Sequence, residues 1–200
     1  MDKISSQRIL QFIFILALAS CATGPSRPPK PVLAGQLYEG SYINVRAPAS
    51  DGWYLASSSS GGMEFGRRGA EQGETFAAQV LMFPLPQTQS EEDFVTLLKK
   101  GFEADTNSER FSVLELDFRY SGERSYPCVS VSSVVEDKKA QTSPNRREKL
   151  VLQSLALYCR HPVRQETGFG IIYSHRGKTI YSKLTAEAED FARGVQIPPR

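Results

Sequence analysis

Two stretches of the chain, Ser125 to Glu136 (SYPCVSVSSVVE) and Lys149 to Pro162 (KLVLQSLALYCRHP), carry one cysteine each, and they constrain the fold more than any other feature. The first alternates apolar and polar residues as a half-buried strand does. Propensity alone would allow the second as helix, but its bounding loop and its content of Val, Leu and Tyr favour strand. Joined as a hairpin about the polar segment DKKAQTSPNRRE (Asp137 to Glu148), with Cys128 opposite Cys159, the two bring Val129 to Tyr158, Val131 to Ala156 and Val135 to Leu152. Apolar faces apolar throughout. A one-residue slip would turn every side chain to the other face and destroy the match.

The remaining chain continues this texture. YINVRAP (Tyr42 to Pro48), WYLAS from Trp53, MEFGRRG from Met63, TFAAQVLMFPL (Thr75 to Leu85), RFSVLELDFRY (Arg110 to Tyr120) and GFGIIYSHRG (Gly168 to Gly177) are short runs rich in β-branched and aromatic residues, bounded by turn residues. Ser90 opens the clearest helix. It stands as an N-cap with Asp93 three residues on, and Phe94, Leu97, Leu98, Gly101 and Phe102 fall on one face before Asp105 to Asn107 end the run. A second helix is expected from Thr185, as N-cap, to about Gly194, with Ala188, Phe191, Ala192 and Val195 on its apolar face. Runs of strands separated by single helices, without βαβ units, predict an α+β class: a mainly antiparallel sheet packed by two helices. This order, with the turn in VRAPASDGWYL (Pro48, Gly52, Trp53), resembles the PsbP-like family, and the resemblance implies an α/β/α sandwich. It implies no metal or partner residue.

The N-terminus sets location. Lys3 and Arg8 precede an apolar run from Ile9 to Ala19, which ends on the small residues Ala19 and Ser20, the plan of a secretory signal peptide. That run is about half the ~20 residues that span a bilayer as a helix. Leu18-Ala19-Ser20-Cys21 resembles the lipobox of bacterial lipoproteins, which implies a diacylglyceryl group on the Cys21 thiol and cleavage before it. Two or more acyl chains suffice for stable anchoring. Ala22, rather than an aspartate, after the cysteine resembles the pattern that sends such proteins to the outer membrane, facing the periplasm. The expected organisation is a signal peptide over 1–20, a lipidated, proline-rich tether over 21–36 and one globular domain over 37–200.

Export to an oxidising compartment turns the Cys128 and Cys159 register into an expected disulfide, the alternative being two free buried thiols. Removing Asp2, Lys3 and Arg8 with the leader takes 24 basic and 22 acidic side chains to 22 and 21, close to neutral. The basic run NRREK (Asn145 to Lys149) is short, adjoins acids and reads as solvated loop, so a nucleic-acid partner is not expected. His161 and His175 are the two histidines; Ser174 and His175 are adjacent on a strand and point to opposite faces. No G-x-S-x-G, H-E-x-x-H or C-x-x-C occurs, so no catalytic, metal or cofactor residue is assigned. Trp53, Tyr173, His175 and Arg176 form the candidate recognition patch: aromatic, imidazole and guanidinium groups brought together. The expected function is a membrane-anchored, non-enzymatic binding or assembly module with an envelope protein partner. The alternatives are an envelope hydrolase with a dispersed site or a carrier of a small hydrophobic ligand.

Overall fold

A computed structural model describes residues 30–198. The lipobox and the tether before Lys30 lie outside the described residues. In chain order the elements are β1 (Lys30–Pro31), β2 (Leu37–Tyr38), β3 (Asn44–Arg46), β4 (Tyr54–Ser59), β5 (Gly62–Arg68), β6 (Thr75–Pro84), α1 (Glu91–Asp105), β7 (Phe111–Ser121), β8 (Cys128–Ser143), β9 (Arg146–Arg160), β10 (Thr167–Gly177), α2 (Leu184–Arg193) and β11 (Val195–Gln196). Eight strands form one sheet in the order β1-β4-β5-β6-β10-β9-β8-β7, and β11-β3-β2 form a second, smaller one. Every pairing is antiparallel. Two meanders, β4-β5-β6 and β7-β8-β9-β10, are thus joined side by side where β6 meets β10.

The period-2 alternation of the strands gives the large sheet two apolar faces. Phe76, Ala78 and Val80 of β6 share one face with Phe169, Ile171 and Tyr173 of β10, and α2 packs there through Leu184, Ala188 and Phe191. Val45 and Val195 of the small sheet join the same core. The opposite face carries Val129, Val131 and Tyr158, onto which α1 sets Phe94 and Leu98. Burying a side chain of this size contributes about 2 kcal/mol.

The α+β expectation is corrected. Strand makes up 50% and helix 15% of the structure, which is a mainly β architecture, and the PsbP-like sandwich is replaced by an eight-stranded and a three-stranded antiparallel sheet carrying two helices. Part of the reason lies in Asp137 to Glu148. Read as a loop, this segment is largely strand, because β8 and β9 run on to a turn at Pro144 and Asn145. Asp137 and Ala140 are wholly buried in that extension. Arg110 forks onto Asp137 with Nε and Nη2 at 2.9 and 2.7 Å, which satisfies the buried carboxylate. NRREK is correspondingly strand from Arg146 onward, and Lys149 Nζ reaches across to an ion pair with Glu136 Oε1 at 3.1 Å.

Register between β8 and β9 agrees with the sequence reading. Cys128 faces Cys159, Val129 faces Tyr158, Val131 faces Ala156 and Val135 faces Leu152, and an irregularity follows Asp137. The two sulfurs lie at bonding distance, 2.09 Å, and both residues are fully buried. Ser90 caps α1, its Oγ accepting the Asp93 N–H at 3.1 Å. At α2 the cap differs: Lys183 precedes the helix without a side-chain cap bond, and Thr185 lies inside the first turn. Burial of Leu184 in the core starts the helix one residue before the threonine. Val195, expected on the helix face, pairs with Val45 in β11. Lys30 and Pro31 of the proline-rich stretch pair with Leu55 and Tyr54 at the sheet edge, a position that tolerates proline.

Candidate functional site

Three of the four residues expected as a recognition patch meet under α2, at the centre of the sheet. The turn from Pro48, with Gly52 at φ +84°, drops Trp53 into the core, where it meets Tyr173 edge-on at 5.8 Å between ring centroids. His175, two residues along β10, lies between Phe76 (4.7 Å) and Tyr181 (5.1 Å). Trp53, Tyr173 and His175 are each only 2% exposed, so this is a buried cluster under α2.

Arg176 is elsewhere. As the neighbour of His175 on a strand it faces the other side of the sheet, where burial pulls its guanidinium pKa down, Asp137 opposes that and Arg110 adds to it. The cation of the cluster is instead Arg67. Its guanidinium lies 4.1 Å from the Phe76 ring centroid and 5.1 Å from that of Trp53. Its Nη1 donates to Ser50 Oγ at 3.0 Å, as does Trp53 Nε1, and Nη2 reaches Glu187 Oε2 at 3.4 Å.

Glu187 gathers the polar ends of this cluster. Tyr173 donates its hydroxyl to Oε2 at 2.5 Å and Tyr181 donates to Oε1 at 2.7 Å. Burial and then the Glu187 carboxylate push the Tyr173 phenol far above its ordinary pKa, with Arg67 opposing. Tyr181 moves the same way for the same reasons. On the far side, His175 Nε2 sits 3.0 Å from Glu74 Oε1. Burial pushes the Glu74 carboxyl up, but the His175 hydrogen bond, the backbone N–H of Glu71 and the imidazole charge outweigh it and leave the pKa lowered. With both carboxylate oxygens of Glu187 engaged, the arrangement holds α2 to the sheet. Ser174 is on the opposite face, opposite Ser154, so no serine–imidazole couple forms at His175.

Arg67 and Glu187 are the residues the sequence reading missed, although each carries a signal. Arg67 has the parity of Phe65 on β5, which places a cation on a core face, and Glu187 adjoins Ala188 and lies one turn before Phe191 on the apolar side of α2. An opposite pair of charges on two core-facing stripes predicts a contact.

Beside this cluster the sheet is not covered by α2, and a groove of about 990 Å³ opens between α2 and strands β7 to β10. Leu155, Leu157 and Ile171 form its apolar floor, and Asp117, Arg119 and Glu189 stand among the charged groups at its rim. An apolar floor with a few charged groups is the usual build of a binding cleft, and this volume lies at the upper end of the range. His161, by contrast, is buried in a turn, where Nδ1 accepts the N–H groups of Val163 and Arg164 at 3.2 and 3.3 Å. Among the described residues no three His, Cys, Asp or Glu side chains converge as a metal set, and no helix is long and apolar enough to cross a membrane. No protein-family model matches the chain, and a search of curated proteins gave no match.

Proposed function

We propose that the chain is a bacterial envelope lipoprotein, anchored through lipid on Cys21 in the outer membrane and facing the periplasm, whose domain is a non-enzymatic binding or assembly module. The groove beside α2 is the observation that carries the binding role: an open, apolar-floored cleft with charged groups at its rim. The buried Cys128–Cys159 pair supports an oxidising compartment, the same environment the signal sequence points to. A protein segment is the occupant that suits the cleft, because its apolar side chains match Leu155, Leu157 and Ile171 while its polar groups reach Asp117, Arg119 and Glu189.

The test is made with the full chain in a Gram-negative host. Radiolabelled palmitate is expected to enter the protein and to be lost in Cys21→Ala. A photo-crosslinking residue at Glu189, in the groove, is expected to give a discrete protein adduct that the same probe at Glu103, on α1 across the sheet, does not give. Absence of label in the wild-type chain removes the lipoprotein reading; adducts that are absent, or identical from both probes, remove the groove as the binding site.

A further inference from the structure

The two edges of the large sheet are built differently. One ends in β1, two residues long, with a lysine and a proline, a combination that discourages further pairing. The other is β7, eleven residues without proline or lysine, which among the described residues has no strand paired on its outer side. Val113, Leu114 and Leu116 on it are exposed, at 42%, 59% and 38%. An irregularity between Val113 and Glu115 interrupts the register, after which Glu115 to Ser121 run regularly against β8. Along these seven residues alternate backbone N–H and C=O groups turn away from β8, and such an edge forms a template for another strand.

The side chains of that run select the strand. Antiparallel pairing with a second copy of itself, using all seven regular residues, is centred on Phe118. It places Leu116 against the second copy's Tyr120, and Asp117 against its Arg119, twice by symmetry. Shifting the centre to Asp117 sets the two Asp117 carboxylates opposite each other beside two Glu115–Arg119 pairs, and shifting it to Leu116 sets Glu115 against Asp117 twice. Both alternatives oppose like charges, which destabilises a cross-strand pair. The register that uses the most strand is therefore also the charge-complementary one. Asp117 and Arg119 already pair within one chain at 2.5 Å, on the same face, with side chains 47% and 79% exposed. They need little rearrangement to reach across a two-fold axis.

We infer that β7 is a self-pairing edge: two copies of the chain join antiparallel through Glu115 to Ser121, with Asp117 and Arg119 exchanged across the two-fold, to make one continuous sixteen-stranded sheet out of the eight-stranded sheet each contributes. An isologous contact of this kind closes at the dimer. Because Asp117 and Arg119 also stand at the groove, the two clefts open side by side on one face.

Sedimentation of the full lipidated chain in density-matched detergent, over about 1 to 100 μM, is expected to show a monomer–dimer equilibrium. Asp117→Arg, and independently Arg119→Asp, are expected to weaken the dimer by about tenfold or more, since each converts two attractions into two repulsions. The double reversal Asp117→Arg/Arg119→Asp restores it. Each variant is checked for its melting temperature and oxidised cysteine pair, and the exposure of both side chains leaves the fold intact in at least one of them. A wild-type chain that stays monomeric, or a dimer that both single reversals leave unchanged, or one that the double reversal fails to restore, overturns the inference.

Discussion

Glu187 shows how much a single carboxylate can organise. It takes hydrogen bonds from Tyr173 and Tyr181 and stands against Arg67, so α2, β5 and β10 meet at two oxygens. A hydrogen bond to a charged group contributes about 1.5 to 3 kcal/mol, and Glu187 keeps two other partners, so Tyr173→Phe is expected to cost about 1.5 kcal/mol at neutral pH. The pH dependence has a definite sign. The Tyr173 pKa is raised in the folded chain, so the stabilisation held by its neutral phenol is complete below the unfolded value of about 10 and is lost as pH rises from there through the folded value. Urea melts of the two proteins should accordingly diverge at pH 7 and draw together above about pH 10. A constant difference across that range would show that the phenol proton is not what Glu187 holds.

At the scale of elements, α1 depends on its first turn. Ser90 caps it, Glu91, Glu92 and Asp93 complement its N-terminal dipole, and no basic residue supports the last turn. Ser90→Ala is expected to lower stability by about 1 kcal/mol, the usual cost of a lost N-cap oxygen, read from the shift of a denaturation midpoint; an unchanged midpoint would mean that packing of Phe94 and Leu98 alone fixes the helix start. This helix was legible because capping, acidic first turn and apolar period all coincide in one segment. The β8–β9 register was legible for a related reason, since the strand period and two cysteines point to one alignment. The Asp137 to Glu148 extension was not, because its stabilisation comes from Arg110, far away in sequence, which neutralises a buried Asp137 that composition alone marks as loop. Thr185 misled in the opposite sense, as a good capping residue placed inside a helix whose start is set by the burial of Leu184. Of the candidate site, strand alternation separates His175 from Arg176 once the strand is known. The meeting of Trp53 with Tyr173, and of Arg67 with Glu187, follows from the order of strands across the sheet, which local pattern does not specify.

At the scale of the whole molecule, the large sheet is two meanders sharing the β6–β10 seam, with β1 added at one edge. Within the second meander the Cys128–Cys159 bond ties β8 to β9 across 31 residues of sequence. Closing a loop of that length removes unfolded-state freedom equivalent to about 3 to 4 kcal/mol. The register it spans is independently held by Val129 with Tyr158, Val131 with Ala156 and the Ser133–Ser154 hydroxyl contact at 2.7 Å. The bond is therefore a stabiliser of a hairpin that sequence pattern already aligns. Cys128→Ala/Cys159→Ala is expected to fold to the same sheet, with unchanged circular dichroism, and to lose about 3 to 4 kcal/mol on urea unfolding. Both residues are fully buried, so in the wild-type chain reductant should act, and a thiol reagent should label, only after denaturant has opened the sheet. Labelling of the reduced native protein at the rate of an exposed thiol would mean that the β8–β9 hairpin opens on its own, and that the bond, rather than the strand register, keeps that half of the sheet closed.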